Sequence, residues 1–521
     1  MLKSFAPKSR KILYVLIAIT VISRLVLAFR PEAKLASRPY LEDAYYAFNT
    51  AYHLAQGEGI TADGTHPTNG IQPLIVFLYV PFYAIADGDK WLALRLIFIL
   101  IALLEAASII VLAKLLKRLS CVEEEEVHWW QKPWIIGPAM WTFLYPLIWH
   151  HTNGLETGLY ALMILVVTYV YAGIRIDQEE ERASRWIVLG ALLGITVLAR
   201  IDAVFLVGGI GLTELIRRHT KAIPHMILMA AAAFVISSPW WFYNFINFGS
   251  FMPISGQSQS QASVLGENLI RSAAVLADIA STFFYLPYYF LPSMLLPIWI
   301  VLVATTLWQL IYRIKLWNIL PQRSRIEMLM PLAIMGVALF IYYVFFFSAP
   351  HFLPRYYHPI RVLWLLVVCL SLPIIGKSLE ASYRERKSMF LAMVIPVALA
   401  AVIFNVNRYY MNFGMFEYSE LYLASQWAAD RPEKKIGMYQ SGTATYFAPN
   451  VTNLDGKVNP DAMHAIKTTG IGTYIKAQNF DHLADVSNLV NILVADAERN
   501  GMRYQLIDSV SKVKIYQRVD E

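Results

Sequence analysis

Residues 40–73 read YLEDAYYAFNTAYHLAQGEGITADGTHPTNGIQP and form a polar interruption in a strongly apolar chain. The stretch follows the first long apolar segment and opens with two adjacent carboxylates, Glu42 and Asp43. Carboxylates next to a membrane are costly to keep ionised, so the pair needs an explanation. A glycine-rich turn follows, and after it come the candidate substrate-binding residues His66, Asn69 and Gln72.

The composition indicates that the chain folds in a membrane. Of its 521 residues, 57% are hydrophobic and only 16% are charged, whereas about 25% are charged in soluble domains. The apolar residues are concentrated in segments of about 20 residues, the length that crosses roughly 30 Å of hydrocarbon. The sequence therefore predicts an α-helical polytopic membrane protein.

Twelve apolar segments are candidates for spans. They lie near residues 12–29, 73–86, 91–113, 134–149, 157–174, 186–198, 203–216, 225–246, 284–311, 328–347, 360–375 and 389–405. The first follows a basic N-terminus, contains Arg24 and has no small-residue cleavage site after it. We therefore expect it to be a spanning helix rather than a signal peptide, with the N-terminus in the cytoplasm.

The basic residues decide between topologies. If the short segment 73–86 lies at the interface, about eleven spans remain and every basic loop falls on the cytoplasmic side. In this arrangement the cytoplasmic loops contain 22 Lys and Arg residues, and the outer loops contain nine. We therefore predict about eleven transmembrane helices, with interfacial helices in a first outer loop at 30–90.

The composition changes after the last apolar segment, so we divide the chain into a membrane domain at 1–405 and a small outer α/β domain at 406–521. Strand-like runs are predicted at 435–439, 491–495, 504–507 and 513–516, and helices at 417–429 and 479–488. The turn NLDGKVNP at 453–460 is expected to give a polar rim that faces the membrane domain.

The predicted topology brings the unusual polar residues of the membrane domain to one side. Besides the acidic pair, the outer face receives Glu156, Arg200, Asp202, Gln257, Arg355, Tyr357 and His358. A carboxylate there can act as a general base, but acids at 42–43 also suit the N-terminus of a helix. Glu156 has the same two interpretations, a second acid of the site or a helix N-terminal residue.

Arg355 with Tyr357 and His358 has the chemistry of a phosphate site, because a guanidinium binds phosphate in a bidentate manner. The alternative is a snorkelling arginine in an aromatic belt. Arg200 and Asp202 are close enough in sequence to form a local ion pair. The histidines do not have the i, i+4 spacing that would support a metal site.

Several of these motifs together resemble the membrane-embedded glycosyltransferases of the GT-C superfamily. The likeness rests on the order EDAYYA, QGEGITADGTHPTNGIQPL, GLETGLYAL, LARIDA, FGSFMPISGQSQ and RYYHP, and covers most of the membrane domain. It is strongest to bacterial members related to protein mannosyltransferases and aminoarabinose transferases. TNGIQPL is its most specific element.

The resemblance implies a function and a set of roles. The acidic pair of the first outer loop would supply the catalytic base, and the donor would be a sugar on a polyprenyl phosphate. We favour Asp43 as the base, although the Glu-Asp order leaves Glu42 open. Arg355 would bind the phosphate, with Arg200, Tyr357 and His358 as further candidates. Transfer would invert the anomeric centre.

The same reasoning sets expectations for partners and location. The acceptor would be a lipid, glycan or protein hydroxyl or amine, met at the outer face of the plasma (inner) membrane, and we expect no nucleic-acid partner. We expect no cofactor, although carboxylates leave room for a divalent cation. A transporter or lipid-linked glycan flippase is the alternative, though such proteins more often have a midplane site and paired broken helices. A scaffold built around the outer domain is the third reading.

Overall fold

The computed structural model of the chain describes most of the membrane domain and the C-terminal domain. The described residues are 2–120, 122–125, 127–178, 182–261, 266, 268–281, 325, 327–347, 352–382, 399, 403, 405, 407 and 419–519. The predicted span 284–311, and all but isolated positions of the span 389–405, lie outside them. So does most of the predicted boundary between the two domains.

The described residues up to Ser382 form helices, joined by loops in which Thr61 and Pro67 make an isolated β-bridge. Its helices are α1 (Pro7–Leu25), α2 (Glu32–Ser37), α3 (Glu42–Ala55), α4 (Pro73–Ile85), α5 (Lys90–Leu119), α6 (Pro133–Phe143), α7 (Tyr145–Thr152), α8 (Thr157–Ile176), α9 (Ala183–Ala199), α10 (Val204–Arg218), α11 (Ile223–Phe248), α12 (Ile254–Gln261), α13 (Leu269–Ser281), α14 (Met330–Phe345), α15 (Leu353–Tyr356) and α16 (His358–Ser382). Among the described residues, five helical segments are long and apolar enough to cross a membrane: Pro7–Phe29, Lys90–Leu119, Thr157–Ile176, Ile201–Phe248 and Glu327–Phe345.

The apolar segment at 73–86 forms the short helix α4. It has 13 residues, which gives a length of about 20 Å, less than the roughly 30 Å of a hydrocarbon core. The length therefore agrees with the prediction that this segment does not span. One face of α4 carries the buried Tyr79 and Tyr83, and the helix packs on α3.

The predicted span 134–149 is wrong as a single helix. The structure breaks it at Leu144, whose extended backbone separates α6 from α7. Pro146 explains the break, because in a continuous helix proline has no N–H to donate to the carbonyl four residues earlier and its ring clashes with that carbonyl. The freed N–H of Tyr145 donates to Oδ1 of Asn405 at 2.8 Å.

Buried charges between the helices are paired. Arg24 of α1 lies 3.2 Å from Glu105 of α5, and its side chain is almost fully buried. Elsewhere in the bundle Arg361 lies 2.8 Å from Asp278. An unpaired charge in such surroundings would cost several kcal/mol, so these pairs fix which helices are neighbours.

The helix α3 is the best buried part of the first outer loop. Its first turn carries Glu42 and Asp43, which complement the positive end of the helix dipole. Further along, Tyr45 and Phe48 are fully buried, and both rings contact the ring of Tyr446 in the C-terminal part of the chain. The aromatic face of α3 therefore packs against both domains and fixes the position of the acidic pair.

The C-terminal domain is a mixed five-stranded sheet covered by helices. Its strands are β1 (Ile436–Met438), β2 (Val451–Asn453), β3 (His482–Val486), β4 (Arg503–Val510) and β5 (Val513–Val519), and its helices are α17 (Glu420–Ala429), α18 (Gly442–Phe447), α19 (Pro460–Thr468), α20 (Ile471–Gln478) and α21 (Ser487–Arg499). The strand order is β2-β1-β3-β5-β4. β1 pairs in parallel with β2 and β3, whereas β5 is antiparallel to β3 and β4.

Two predictions for this domain are wrong. The predicted helix at 479–488 contains the central strand β3, and the predicted strand at 491–495 lies within α21. In the second case the buried residues Val490, Leu493, Val494 and Ala497 follow a helical repeat. A window of five residues was too short to show that repeat. The other three predicted strands and the helix near 417–429 are present.

The helical repeat of α21 gives a testable prediction. Leu493→Ala removes a fully buried side chain and should lower the free energy of unfolding by about 2–5 kcal/mol. Ile492→Ala changes a half-exposed neighbour, 50% exposed, and is expected to change the free energy of unfolding by less than about 0.5 kcal/mol. Denaturant unfolding of the purified chain would measure both, and equal effects would contradict the buried position of Leu493 on α21.

Candidate active site

Two cavities meet at the N-terminus of α3. The first, here called the helix cavity, has a volume of about 300 Å³ and lies among α3, the turn before α4, the start of α10, and α14. The second, the interdomain cavity, has about 720 Å³ and lies between the helices and the C-terminal domain. The residues that line both are Asp43, Tyr46, Leu155, Phe352, Arg355 and Lys457.

Asp43 lies where the cavities join, between two cations. Its Oδ2 is 3.4 Å from Nη1 of Arg355, and its Oδ1 is 4.0 Å from Nζ of Lys457. The position in the first turn of α3 directs the side chain away from the buried aromatic face of that helix. The carboxylate is thus accessible from both cavities.

Unlike Asp43, Glu42 is hydrogen-bonded to the C-terminal domain. Its two carboxylate oxygens accept hydrogen bonds from the backbone N–H of Thr443 at 3.2 and 3.1 Å, and Oε2 also accepts one from the Thr443 hydroxyl. Burial raises the pKa of Glu42 to about 7, although the Thr443 hydrogen bonds act in the opposite direction. A pKa near 7 suits a general base, but the contacts tie this side chain to the C-terminal domain.

Arg355 has hydrogen-bonding capacity left for an anion. Within the described residues its Nε is buried without a hydrogen-bond partner, and the contact of Nη1 with Asp43 is long. The guanidinium lies over the rings of Phe352 and Tyr356, at 5.1 and 5.2 Å from their centroids. A planar cation held by aromatic rings at a cavity wall can bind a phosphate oxygen pair.

Arg200 also lines the helix cavity, but its guanidinium is already paired with carboxylates. It is buried, and its nitrogens donate to Glu156 at 2.7 Å and to Asp202 at 2.8 Å, with Tyr343 within 3.3 Å. The predicted ion pair with Asp202 is therefore present. Since two carboxylates already neutralise this guanidinium, Arg200, Glu156 and Asp202 form a rigid polar wall of the cavity.

Tyr357 and His358 are not brought to Arg355. The hydroxyl of Tyr357 is 2.7 Å from that of Ser272, and Nε2 of His358 is 2.9 Å from Nε2 of His151. Neither residue is among the described residues that line the two cavities. The chain turns from α15 into α16 at these positions, so side chains adjacent in sequence point in different directions. The predicted grouping with Arg355 therefore needs correction.

The TNGIQP turn, residues 68–73, lies beside the helix cavity. Gln72 lines the helix cavity, as predicted for a substrate-binding residue. Asn69 is buried, and its Oδ1 accepts a hydrogen bond from the N–H of Ile254 at 3.0 Å. His66 lies 2.7 Å from Asp63 and 3.6 Å from Asp461, so these contacts join the loop to the C-terminal domain.

Gln257 also lies at the contact between the domains. Its Nε2 donates to the carbonyl of Met252 at 2.7 Å, and its Oε1 accepts from Nζ of Lys467. The neighbouring Ser258 lines the interdomain cavity. The side chain of Gln257 thus contacts the backbone of its own segment and a lysine of the C-terminal domain.

Lys457 is the main residue that sequence reasoning missed. The predicted polar rim at 453–460 does face the helical domain, and Lys457 is the rim residue that reaches Asp43. The only signal in the sequence was a single lysine in an Asn- and Gly-rich turn, which is typical of any exposed loop. The described residues contain no group of three or more His, Cys, Asp or Glu side chains that could hold a metal ion.

The chain is similar to known proteins in structure and not in sequence. No protein-family profile matches the chain, and no curated protein sequence matches it. Among solved structures, ArnT from Cupriavidus metallidurans bound to undecaprenyl phosphate has a TM-score of 0.56 at 12% identity, covering 97% of this chain and 98% of that one. AglB from Archaeoglobus fulgidus, in complex with an inhibitory peptide and a dolichol-phosphate, has a TM-score of 0.58 at 11% identity.

The two likenesses differ in extent. The second covers 92% of this chain and 69% of the oligosaccharyltransferase chain, whereas the first covers both chains almost completely, including the C-terminal domain. At such identities a structural likeness establishes the fold. It agrees with the resemblance of the sequence motifs, and the chain accordingly shares the fold of these two solved structures.

Proposed function

We propose that the chain is a membrane glycosyltransferase that moves a sugar from a polyprenyl-phosphate donor to an acceptor hydroxyl or amine. The observation that carries the proposal is the position of Asp43 at the junction of two cavities, next to an arginine with an unpartnered buried Nε. The structural neighbours support the donor class, since one was solved with undecaprenyl phosphate and another with a dolichol-phosphate.

The two cavities suit two substrates. The helix cavity lies among apolar helices, where a lipid-linked donor would enter, and the interdomain cavity opens toward the C-terminal domain, where an acceptor would enter. An inverting displacement needs the acceptor and the leaving phosphate on opposite sides of the anomeric carbon. We therefore place the donor in the helix cavity and the acceptor in the interdomain cavity, and the reaction at the outer face of the membrane, as the predicted topology requires.

Asp43 acts as the general base in this proposal. It takes the proton of the acceptor hydroxyl while the acceptor oxygen attacks the anomeric carbon, and the bond from that carbon to the phosphate oxygen breaks. A phosphate leaves as an anion, so it needs positive charge more than a proton, and the Arg355 guanidinium supplies that charge. Glu42 holds the C-terminal domain against α3 through Thr443.

The acidic pair gives the first test of this assignment. Asp43→Asn should lower the transfer rate by a hundredfold or more, on the order expected for loss of a general base. Glu42→Gln, which neutralises the adjacent acid, should keep most of the rate, because the domain is also held by Lys90 and Tyr83 through Tyr446. The measurement is sugar transfer by membranes supplied with a panel of polyprenyl-phosphate sugars.

The two variants also define what would count against the proposal. Full transfer by Asp43→Asn would remove Asp43 from the mechanism. A larger loss in Glu42→Gln than in Asp43→Asn would reverse the two roles.

Arg355 gives a second test. Arg355→Gln is expected to lower transfer by about a hundredfold, the usual effect of removing one preorganised donor. It should also weaken the binding of undecaprenyl phosphate to the purified protein. Arg271→Gln is the control, since Arg271 is exposed on α13. Equal binding by the wild type and Arg355→Gln would argue that the phosphate lies elsewhere.

We further propose that the transfer needs no divalent cation, because a guanidinium can neutralise the single phosphate of the donor. Membranes treated with EDTA should therefore keep their transfer rate. A loss of rate that Mg²⁺ or Mn²⁺ restores would contradict this part of the proposal and identify a metal-dependent member of the fold.

A further inference from the structure

We propose that Lys457, a residue of the C-terminal domain, is a second cation for the donor phosphate, so that the active site is complete only when this domain is docked. The inference rests on the proposed function and adds a residue that the helical domain cannot supply. It starts from the position of Lys457, which lines both cavities although it belongs to the turn between β2 and α19.

Lys457 and Arg355 flank the same groups. They approach different oxygens of Asp43, at 4.0 and 3.4 Å, and both lie over the ring of Phe352, with the cationic centres 5.8 and 5.1 Å from the ring centroid. Asp43 lies between the two cations and offsets their mutual repulsion. The two cations are therefore close enough to contact one donor phosphate together.

Both cations have donors to spare. An ammonium group has three N–H donors. Among the described residues, Lys457 has one carboxylate within hydrogen-bonding distance, Asp455 at 3.1 Å, because Asp43 at 4.0 Å is too distant. Arg355 has its unpartnered Nε. A phosphate could thus receive the planar fork of an arginine on one side and the point charge of a lysine on another, a common division of roles.

The lysine remains charged in this position. Burial by itself would lower the pKa of Lys457, but Asp455 and Asp43 more than offset that effect, and the pKa is raised above its ordinary value. Lys457 therefore acts as a fixed positive charge and hydrogen-bond donor. It gives up no proton, and the acceptor's proton goes to Asp43 while the phosphate takes the electron pair of the broken bond.

The TNGIQP turn at residues 68–73 fixes the position of Lys457. A Cβ added to Gly70 would fall only 1.7 Å from the carbonyl oxygen of Lys457, so the backbone of the TNGIQP turn lies directly against the backbone of the lysine turn. On the other side, Nδ2 of Asn459 donates to the carbonyl of Asn453 at 2.9 Å and closes that turn. A residue larger than glycine at position 70 would push Lys457 away from Asp43.

Three lysine variants of the full-length protein test the proposal. Lys457→Gln removes the charge and should lower transfer by about a hundredfold, and should also weaken the binding of undecaprenyl phosphate. Lys457→Arg keeps the charge and should retain most of both. Lys467→Gln is the matched control, because Lys467 also joins the C-terminal domain to the helical domain, through Gln257, but is not among the described residues that line the cavities.

The two measurements separate this inference from the proposed function. Equal affinity of the wild type and Lys457→Gln for undecaprenyl phosphate, or equal transfer rates, would overturn the role of Lys457. An equal loss in Lys457→Arg and Lys457→Gln would also overturn it, since the charge would then not be what matters. Absence of transfer by the wild type with every donor would instead refute the proposed function, while the binding measurement would still test Lys457.

Limited proteolysis would show whether Lys457→Gln loses transfer because its fold has changed. If Lys457→Gln showed the same cleavage pattern as the wild type while losing transfer, the loss would arise at the site and support the proposal. If the variant exposed new cleavage sites, Lys457→Arg would decide, because it preserves the charge that holds the turn: retained transfer supports the proposal and lost transfer overturns it.

Discussion

The carboxylate of Asp43 is stabilised by cations that come from distant parts of the chain. Arg355 lies more than 300 positions later and is held over aromatic rings, and Lys457 comes from a separate domain. An anion partly removed from water is stable only beside positive charge. The packing of α3, the approach of the TNGIQP turn and the docking of the C-terminal domain all serve to bring these charges together.

The sequence predicted the importance of the acidic pair but not how its members differ. Glu42 and Asp43 are adjacent, and successive residues on a helix point about 100° apart. Glu42 accepts hydrogen bonds from Thr443 of the C-terminal domain and lines the interdomain cavity, whereas Asp43 lines both cavities. The turn from α15 into α16 separates Arg355 from Tyr357 and His358. Residues adjacent in sequence were grouped as one site, whereas the local backbone directs them to different partners.

The fold was more accessible than the site because it depends on long repeating patterns. Apolar segments and basic loops predicted most of the helices, and they failed at Pro146, where one proline divides a segment into α6 and α7. In the C-terminal domain, short runs such as 491–495 were ambiguous between helix and strand. Lys457 could not be identified at all, since its role comes from a contact with Gly70 that joins two turns nearly 400 residues apart.

The pairing of Arg24 with Glu105 has a consequence for biosynthesis. Arg24 lies in the first apolar helix, and its anionic partner is 81 residues further along the chain. While the ribosome is still translating the intervening residues, the guanidinium has to stay in water, at the lipid headgroups or in the translocon. The first helix therefore takes its final position only after α5 has been made. The order of synthesis thus affects how the helix bundle assembles.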